Sequence, residues 1–492
     1  MRRADVARGL AWAAADGEWN AEAIAQRFAV ALALEEAEWM RALGRELTTA
    51  FPSAPVDLEA LAAAVRTSRT FGEDEGELDD EVELDEEEEL DEGELAPHEL
   101  RIRRYFFPPP RMGERPFPAV PAIATEAELA ALLEVPLEEL DWLADRRGMN
   151  RTAREPKLHH YVYRWIAKRS GGRPASSLAP LRDGTPPPSG AAHLRAVGIP
   201  SLRSARLIEA PKPTLKRVQR AILTRVLGPL PAHPAASGFV PGRSVLDHVR
   251  AHAGKRVVLR MDLATFFWRV PPGRVRGIFR FLGYPPDVSA LLTALTTTRT
   301  PSAVLAVLPK PRSEAEARAR FELRQRLLHR HLPQGAPTSG ALASAAARAM
   351  DRRLAGLAAR FGAAYTRYAD DLAFSGDRAF ERALGRFAPR VGAIALEEGF
   401  AIRHEKTRVM RASTRQELCG VVVNERPTLS RAELERLEAI LFNCVRHGPA
   451  DQNREGHLDF RAHLAGRIAW VAQLAPDKAA PLRTLFEQIA WG

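Results

Sequence analysis

Two acids side by side, Asp370 and Asp371, lie in the run Ala364-Tyr365-Thr366-Arg367-Tyr368-Ala369-Asp370-Asp371-Leu372-Ala373-Phe374-Ser375-Gly376, between short stretches rich in apolar and aromatic residues. That pattern predicts a β-hairpin with the acids at its tip. Neighbouring strand residues point to opposite faces, so both acids share one site only if a tight turn re-aims one of them. Like charges held together are costly unless a cation neutralises them. Hard divalent cations such as Mg²⁺ take oxygen ligands, and keep one or two carboxylates plus substrate phosphates. The chemistry on offer is therefore half of a two-metal site. For a lone Asp-Asp pair the competing reading is an exposed turn whose acids face water, and the rest of the chain decides.

The elements that must position these acids come from 492 residues, enough for two to four domains, and an apolar fraction of 46% suffices for a sizeable core. Cys419 and Cys444 are the only cysteines, so a disulfide framework is excluded, and no Cys/His cluster has zinc-site spacing. A reducing, cytoplasmic setting is expected. Met1-Arg2-Arg3 is basic, but acids from Asp5 onward interrupt the stretch after it, and no signal-type apolar core appears. No apolar run approaches the roughly 18 residues of a membrane span, so no membrane partner is expected. The net charge of +9 conceals an asymmetry: 16 acids and no base lie between Glu73 and Glu94, which leaves the remainder at +25. A chain that basic is expected to meet a polyanion, nucleic acid above all.

Residues 1–70 are rich in Ala, Glu, Leu and Arg, with helical spacing at Leu32, Leu34, Trp39, Leu43 and Leu47, and read as a small helical unit. Residues 71–120 read as a linker, acidic and then proline-rich through Tyr105-Phe106-Phe107-Pro108-Pro109-Pro110. Mimicry of nucleic acid in the basic groove is the sharper alternative for the acidic tract. Thr125-Glu126-Ala127-Glu128 opens two short helices with an N-cap and an acid three residues on. Tyr161, Tyr163, Arg164, Trp165, Lys168 and Arg169 suit either stacking on bases or an amphipathic core strand. Residues 171–202 resemble a Pro/Ser/Gly-rich inserted loop.

Five further motifs stand in order around the hairpin. Arg206 to Leu223 begins as a strand and passes through Pro211 and Pro213 into a helix with bases at Lys216, Arg217 and Arg220. Ser237-Gly238-Phe239-Val240-Pro241-Gly242-Arg243-Ser244 is a glycine-rich turn. Val257 to Met261 is an apolar strand ending on Asp262, followed by Phe266 and Phe267. His331-Leu332-Pro333-Gln334-Gly335 is a turn before an Ala-rich helix, and His404-Glu405-Lys406-Thr407 follows the Asp-Asp pair.

In order and wording these motifs resemble those of a reverse transcriptase of the bacterial retron type, from about residue 120 to the C-terminus. The resemblance implies an α+β right hand: N-terminal helices and fingers over 121–261, a palm with a small antiparallel sheet over 262–415 carrying a basic insertion at 300–330, and a helical thumb over 416–492. It implies RNA-directed DNA polymerisation with two Mg²⁺ ions, or Mn²⁺ in their place. Asp262, Asp370 and Asp371 match the catalytic and metal-holding aspartates, Asp371 the more peripheral, and Leu263 would lend its backbone carbonyl. Two metals about 3.5–4 Å apart stabilise the attacking and leaving oxygens when a primer hydroxyl displaces pyrophosphate. Phe267 matches the aromatic plate that leaves no room for a 2′-hydroxyl, and Gln334 the glutamine near the incoming dNTP. Arg206, with Lys168 or Arg169, matches the bases that grip its triphosphate, and Lys406 the palm lysine beside pyrophosphate. Lys216, Arg243 and His252 are expected on the RNA or template side.

By the same resemblance the partners are a cognate structured non-coding RNA and its cDNA. Priming is from a guanosine 2′-hydroxyl to give branched RNA–DNA (msDNA), with an effector protein from the same locus and a role in phage defence. Departures are also visible. The retron pattern Asn-Ala-x-x-His aligns with His248-Val249-Arg250-Ala251-His252, and Val-Thr-Gly with Leu418-Cys419-Gly420. Long Ala/Arg-rich enzymes of this kind resemble the myxobacterial branch. A group II intron-like or orphan bacterial enzyme is the alternative, against which the short C-terminus argues; a non-catalytic RNA-binding scaffold is the reading from another class.

Overall fold

The computed structural model describes residues 3–72, 100–104, 111–149, 155, 158–167, 205–306, 308 and 310–491. The Glu73–Glu94 tract, Tyr105–Pro110, Lys168, Arg169 and the loop 171–202 lie outside them. By packing, the chain divides into two compact units, Met1–Leu137 with Phe279–Leu291, and Glu138–Ile278 with Leu292–Gly492.

In the first unit, α1 (Arg3–Ala15), α2 (Ala21–Leu32), α3 (Glu38–Ala50) and α4 (Leu58–Thr67) enclose one apolar core. Leu10, Ile24, Phe28, Met40, Leu43, Leu61 and Val65 fill it, and Leu100 and Ile102 pack onto it. The leucine run from Leu32 to Leu47 is two helices and not one. Ala33 takes a left-handed conformation (φ 56°) and ends α2, while Asn20 and Asp57 cap α2 and α4 by accepting backbone N–H bonds. Further on, Thr125 Oγ1 accepts from Glu128 N at 3.1 Å and opens the helix Glu126–Leu133, as its sequence predicts.

The second unit holds three small antiparallel sheets among helices. β1 (Tyr161–Ala167) pairs with β2 (Ala205–Pro211). Tyr161, Tyr163 and Trp165 on β1 are buried, and Trp165 Nε1 donates to the Val304 carbonyl at 2.9 Å. The aromatics thus form a core face and not a stacking platform for bases.

The central sheet has the order β4-β5-β3-β6, from β3 (Val257–Asp262), β4 (Ala364–Tyr368), β5 (Asp371–Gly376) and β6 (Arg408–Arg411). Side chains alternate across it. One face carries Phe374, which stacks on Tyr365 and meets Phe387 of the helix Arg378–Glu397 edge-on at 5.0 Å. The other face carries Val258 and Ala373, which pack with Val249, Leu418, Val421 and Val423. Directly opposed residues on this face are Val258 and Ser375, Arg260 and Ala373, and Asp262 and Asp371. β7 (Glu417–Leu418) and β8 (Val421–Val422) form a short hairpin. After it come the helices Arg431–His447, Phe460–Leu474 and Pro476–Glu487, packed through Leu437, Leu441, Cys444, Leu464, Ile468 and Leu482. Ser430 Oγ accepts from Glu433 N at the first of these, where the sequence reads as a cap. Among the described residues no helix is long and apolar enough to cross a membrane.

Candidate active site

β4 and β5 are joined by Ala369 and Asp370, and Ala369 takes the left-handed conformation (φ 56°) that a two-residue hairpin turn demands. Asp370 therefore leaves the sheet pattern, while Asp371 begins β5 opposite both Tyr368 and Asp262. Leu263 follows Asp262 and donates its N–H to the Asp370 carbonyl at 2.8 Å, which ties the end of β3 to the turn. The three acids expected from the sequence are thus gathered at one end of the sheet, 108 residues of chain separating Asp262 from Asp370.

Their electrostatics differ. The Asp370 carboxyl is pushed above the ordinary aspartate range by burial, and then by repulsion from Asp262 and Asp371. Asp262 is 3% exposed. Lys406 Nζ donates to its Oδ2 at 2.7 Å, and Arg403 Nη1 approaches Oδ1 to 3.3 Å. Asp371 is held by Arg260, whose Nη2 reaches Oδ1 at 2.8 Å and Oδ2 at 2.9 Å, with Nε at 3.1 Å. In place of the threonine of Val-Thr-Gly, Cys419 (φ 50°) brings Sγ within 3.9 Å of Asp371 Oδ2. Its thiol is pushed up to about 12 by burial and by the Asp371 charge.

These residues fit a hard divalent cation through one or two carboxylates. Asp262 Oδ1 is buried and accepts no hydrogen bond, and a cation would relieve the repulsion that raises the Asp370 carboxyl. Among the described residues no group of three or more His, Cys, Asp or Glu side chains is gathered closely enough to hold a metal by itself. Asp371 is the acid turned away, toward Arg260.

Phe267 begins a single 3-10 turn after β3. Phe266 is buried and packs near Phe400 at 5.6 Å, whereas Phe267 is half-buried with its ring 5.8 Å from Phe239. The residue before Phe239, Gly238, lies against the hairpin turn: a Cβ there would sit 2.4 Å from Ala369 N. Gln334 accepts from Glu209 N through its carbonyl at 2.8 Å, which anchors its turn to β2, the strand that carries the exposed Arg206. Beside it Glu209 is buried and takes a bond from Thr300 Oγ1 (2.7 Å) and pairs with His331 Nε2 (2.9 Å). Burial alone would lower the His331 pKa, but the Glu209 carboxylate raises it above the ordinary value. Lys216 and Arg217 are exposed on the helix Pro213–Ala221. No hydrogen bond or ion pair among the described residues joins Arg206 or Lys216 to the aspartates.

Of two expected template contacts, Arg243 stays exposed while partly committed to its own loop, and His252 is corrected by its surroundings. Arg243 Nη1 donates to the carbonyls of His233, Pro234 and Ala236, and so staples its own loop. His252 is fully buried, with both ring nitrogens bonded to hydroxyls of the sheet, and cannot touch RNA. Conversely, Arg260 and Arg403 hold two of the acids and were not singled out by sequence. The signal for Arg260 was its spacing, two residues before Asp262 on the same strand face; Arg403 lies three residues before Lys406 in an irregular segment and left none.

Residues 199–423 match the family described as "Reverse transcriptase (RNA-dependent DNA polymerase)". The chain is similar to the retron Mx65 reverse transcriptase of Myxococcus xanthus, 37% identical over 394 residues that cover 79% of this chain and 74% of that protein. It is also similar to the retron Mx162 reverse transcriptase of Myxococcus xanthus, 37% identical over 294 residues covering 56% of each chain. With the retron Ec86 reverse transcriptase of Escherichia coli it shares 28% identity over 235 residues, 48% of this chain and 63% of that one.

Proposed function

Because this chain belongs to the retron reverse transcriptases, and is therefore an RNA-directed DNA polymerase, we propose that it copies part of a structured non-coding RNA encoded beside it. Synthesis starts from an internal guanosine 2′-hydroxyl, and the product is a branched RNA–DNA molecule that acts with an effector protein in defence against phage. The observation that supports polymerisation at this site is the register of the sheet: Asp262 and Asp371 are opposed, with Asp370 in the adjoining turn.

In this reading residues 121–261 are the fingers, 262–415 the palm and 416–492 the thumb. Asp262 and Asp370 hold Mg²⁺, or Mn²⁺ in its place, with the Leu263 carbonyl beside them. When bound, the metal lowers the pKa of the attacking hydroxyl and stabilises charge on the leaving oxygen. The chain's own residues do the rest. Phe267 lies under the sugar of the incoming dNTP and excludes a 2′-hydroxyl, and Gln334 sits beside its base. Arg206 takes its triphosphate, and Lys406, now bonded to Asp262, is released to give a proton to pyrophosphate. Lys216 on its exposed helix takes template phosphates, a role suited to a point charge on a flexible stem.

The test is extension of a primed RNA template with dNTPs and Mg²⁺. Wild-type protein extends it and Asp370→Asn does not. Absence of dNTP-dependent extension, with D370N indistinguishable from wild type, removes the enzymatic reading. Sequencing the RNA that co-purifies from the native locus tests the rest: a branched, RNase-resistant DNA is expected, and linear cDNA alone counts against 2′-hydroxyl priming.

A further inference from the structure

The stretch His248 to His252, where this chain departs from the Asn-Ala-x-x-His pattern, has no part in the chemistry above. The helix Val245–Arg250 opens on a capping box between Ser244 and Asp247 and delivers both histidines to the sheet face that also carries Asp262 and Asp371. His252 Nδ1 lies 2.7 Å from Ser375 Oγ, and its Nε2 lies 2.7 Å from Thr366 Oγ1. Thr366 Oγ1 in turn lies 2.7 Å from His248 Nδ1. Thr366 belongs to β4 and Ser375 to β5. A single imidazole therefore bridges the two strands whose turn is Ala369-Asp370.

Three features make this bridge specific. Each hydroxyl has one proton, and the three bonds of the series Ser375, His252, Thr366, His248 can run in either direction when both rings are neutral, while His248 Nε2 at its end is buried without a hydrogen-bond partner among the described residues. The His252–Ser375 bond is buried and the two bonds to Thr366 are partly so, so an unmatched partner would bear a desolvation penalty. And β4 is the sheet's edge, held on its outer side by only a short segment: Arg367 N donates to Ala235 O at 2.7 Å and Ser237 N to Arg367 O at 2.9 Å. On this face the bridge is what ties β4 to β5 through side chains. On the opposite face Tyr365 stacks on Phe374 and Arg367 is anchored to Asp351, so the bridge sets the pitch of the hairpin, and with it the aim of Asp370, from the side of the acids.

We propose that His252, acting through Thr366 and Ser375 and steadied by His248, is a positioning residue that fixes the Asp370–Asp371 hairpin for polymerisation. The proposal rests on the polymerase reading of those acids. It assigns the retained histidine of the motif to hairpin geometry and not to RNA contact, and an Asn at 248 can serve the same Thr366 hydroxyl.

The experiment uses the full chain on a primed RNA template, with kcat and the KM for dNTP from steady-state extension, the RNA Kd from fluorescence anisotropy, and a thermal melt for each variant. His252→Ala is expected to lower kcat about 10–100-fold with KM and RNA Kd changed by no more than about twofold, the pattern of a misaimed catalytic group. Thr366→Val should move kcat in the same direction. His248→Ala should also lower it, and His248→Asn should restore most of the loss. Where H252A does not fold, His252→Gln and T366V carry the test. Folded H252A, H252Q or T366V with wild-type kcat overturns the proposal, as does a loss confined to RNA Kd or a loss that only tracks the unfolded fraction. If wild-type protein itself fails to extend the primer, it is the polymerase reading that falls.

Discussion

Arg260 closes on Asp371 with contacts of 2.8 and 2.9 Å to its two carboxylate oxygens, across the diagonal of the β3–β5 pair. The residue directly opposite Asp371 is another acid, Asp262, and like charges so placed destabilise a sheet. The guanidinium answers that repulsion. Replacing Arg260 with Gln is expected to lower stability by about 1–2 kcal/mol in EDTA, discounted for partial exposure of the pair, and Mg²⁺ should recover part of it. Urea denaturation of R260Q, Asp371→Asn and the double variant measures the coupling. Strict additivity would show that the fork contributes nothing.

Gly238 is needed where the 237–239 segment crosses the turn. A methyl group at this position would meet Ala369 N at 2.4 Å and the Tyr368 carbonyl carbon at 3.1 Å, both backbone atoms that cannot rotate aside. Gly238→Ala should therefore displace the Asp370 turn and cost about 10²-fold in kcat with the far-ultraviolet circular dichroism unchanged. Wild-type activity in G238A would mean the turn yields freely.

Acid lability has an identifiable origin. Burial and the nearby Arg260 lower the His248 pKa from 6.5 to about 4, and burial, His248 and Lys255 lower that of His252 from 6.5 to about 3. The unfolded chain therefore binds these protons first, so the stability is whole above about pH 6.5 and is lost as pH falls toward 4 and below. The slope is about 1.4 kcal/mol per pH unit for each ring. His331, raised by Glu209, has the opposite sign, and its contribution fades as pH rises through its elevated value. Urea midpoints measured from neutral to acid pH should fall for wild type and fall less steeply for H248N. Parallel curves would reject the assignment.

Behind the hairpin, Arg367 is fully buried and bonded to both oxygens of Asp351 at 2.8 and 2.6 Å, to Ser344 Oγ and to the Ala369 carbonyl. Arg367→Met strands the Asp351 carboxylate, and should cost about 3–5 kcal/mol. Arg367→Met with Asp351→Leu should cost less than R367M alone in the same urea titration, because no buried charge is then left without its partner.

Sugar selection offers a further check on the reading of the site. Phe267 is half-buried and supported by Phe239 and Phe266. Phe267→Ala should raise ribonucleotide incorporation relative to dNTP on the order of tenfold or more, the scale on which pocket shape discriminates. Competition extension assays with both nucleotides give the ratio directly.

The hairpin, β3 and the helix caps were legible because their signals are local: alternating apolar residues ending on an acid, and Ser430 or Thr125 three residues before a glutamate. The C-terminal helix face at Leu437, Leu441 and Cys444 was equally plain. What sequence could not give was which polar side chains would find each other across long separations. His252 reads as a surface base until Ser375 and Thr366, more than a hundred residues away, are laid beside it. Nor does sequence show that Arg243 Nη1 staples its own loop through the carbonyls of His233, Pro234 and Ala236. The aromatics of β1 were open between two uses because composition is the same for a stacking surface and a core strand; burial decides.

The order of the central sheet also bears on how the protein is made. β3 lies between β5 and β6, and both neighbours are encoded more than a hundred residues after it. At ribosomal speeds of about 5–20 residues per second, Val257 to Met261 leaves the ribosome on the order of ten seconds before any strand exists to pair with it. During that interval a largely apolar strand is open on both edges, the situation that invites mispairing. The design that keeps the acids apart until the sheet closes therefore gives the nascent chain a window in which it has no polymerase and depends on being shielded.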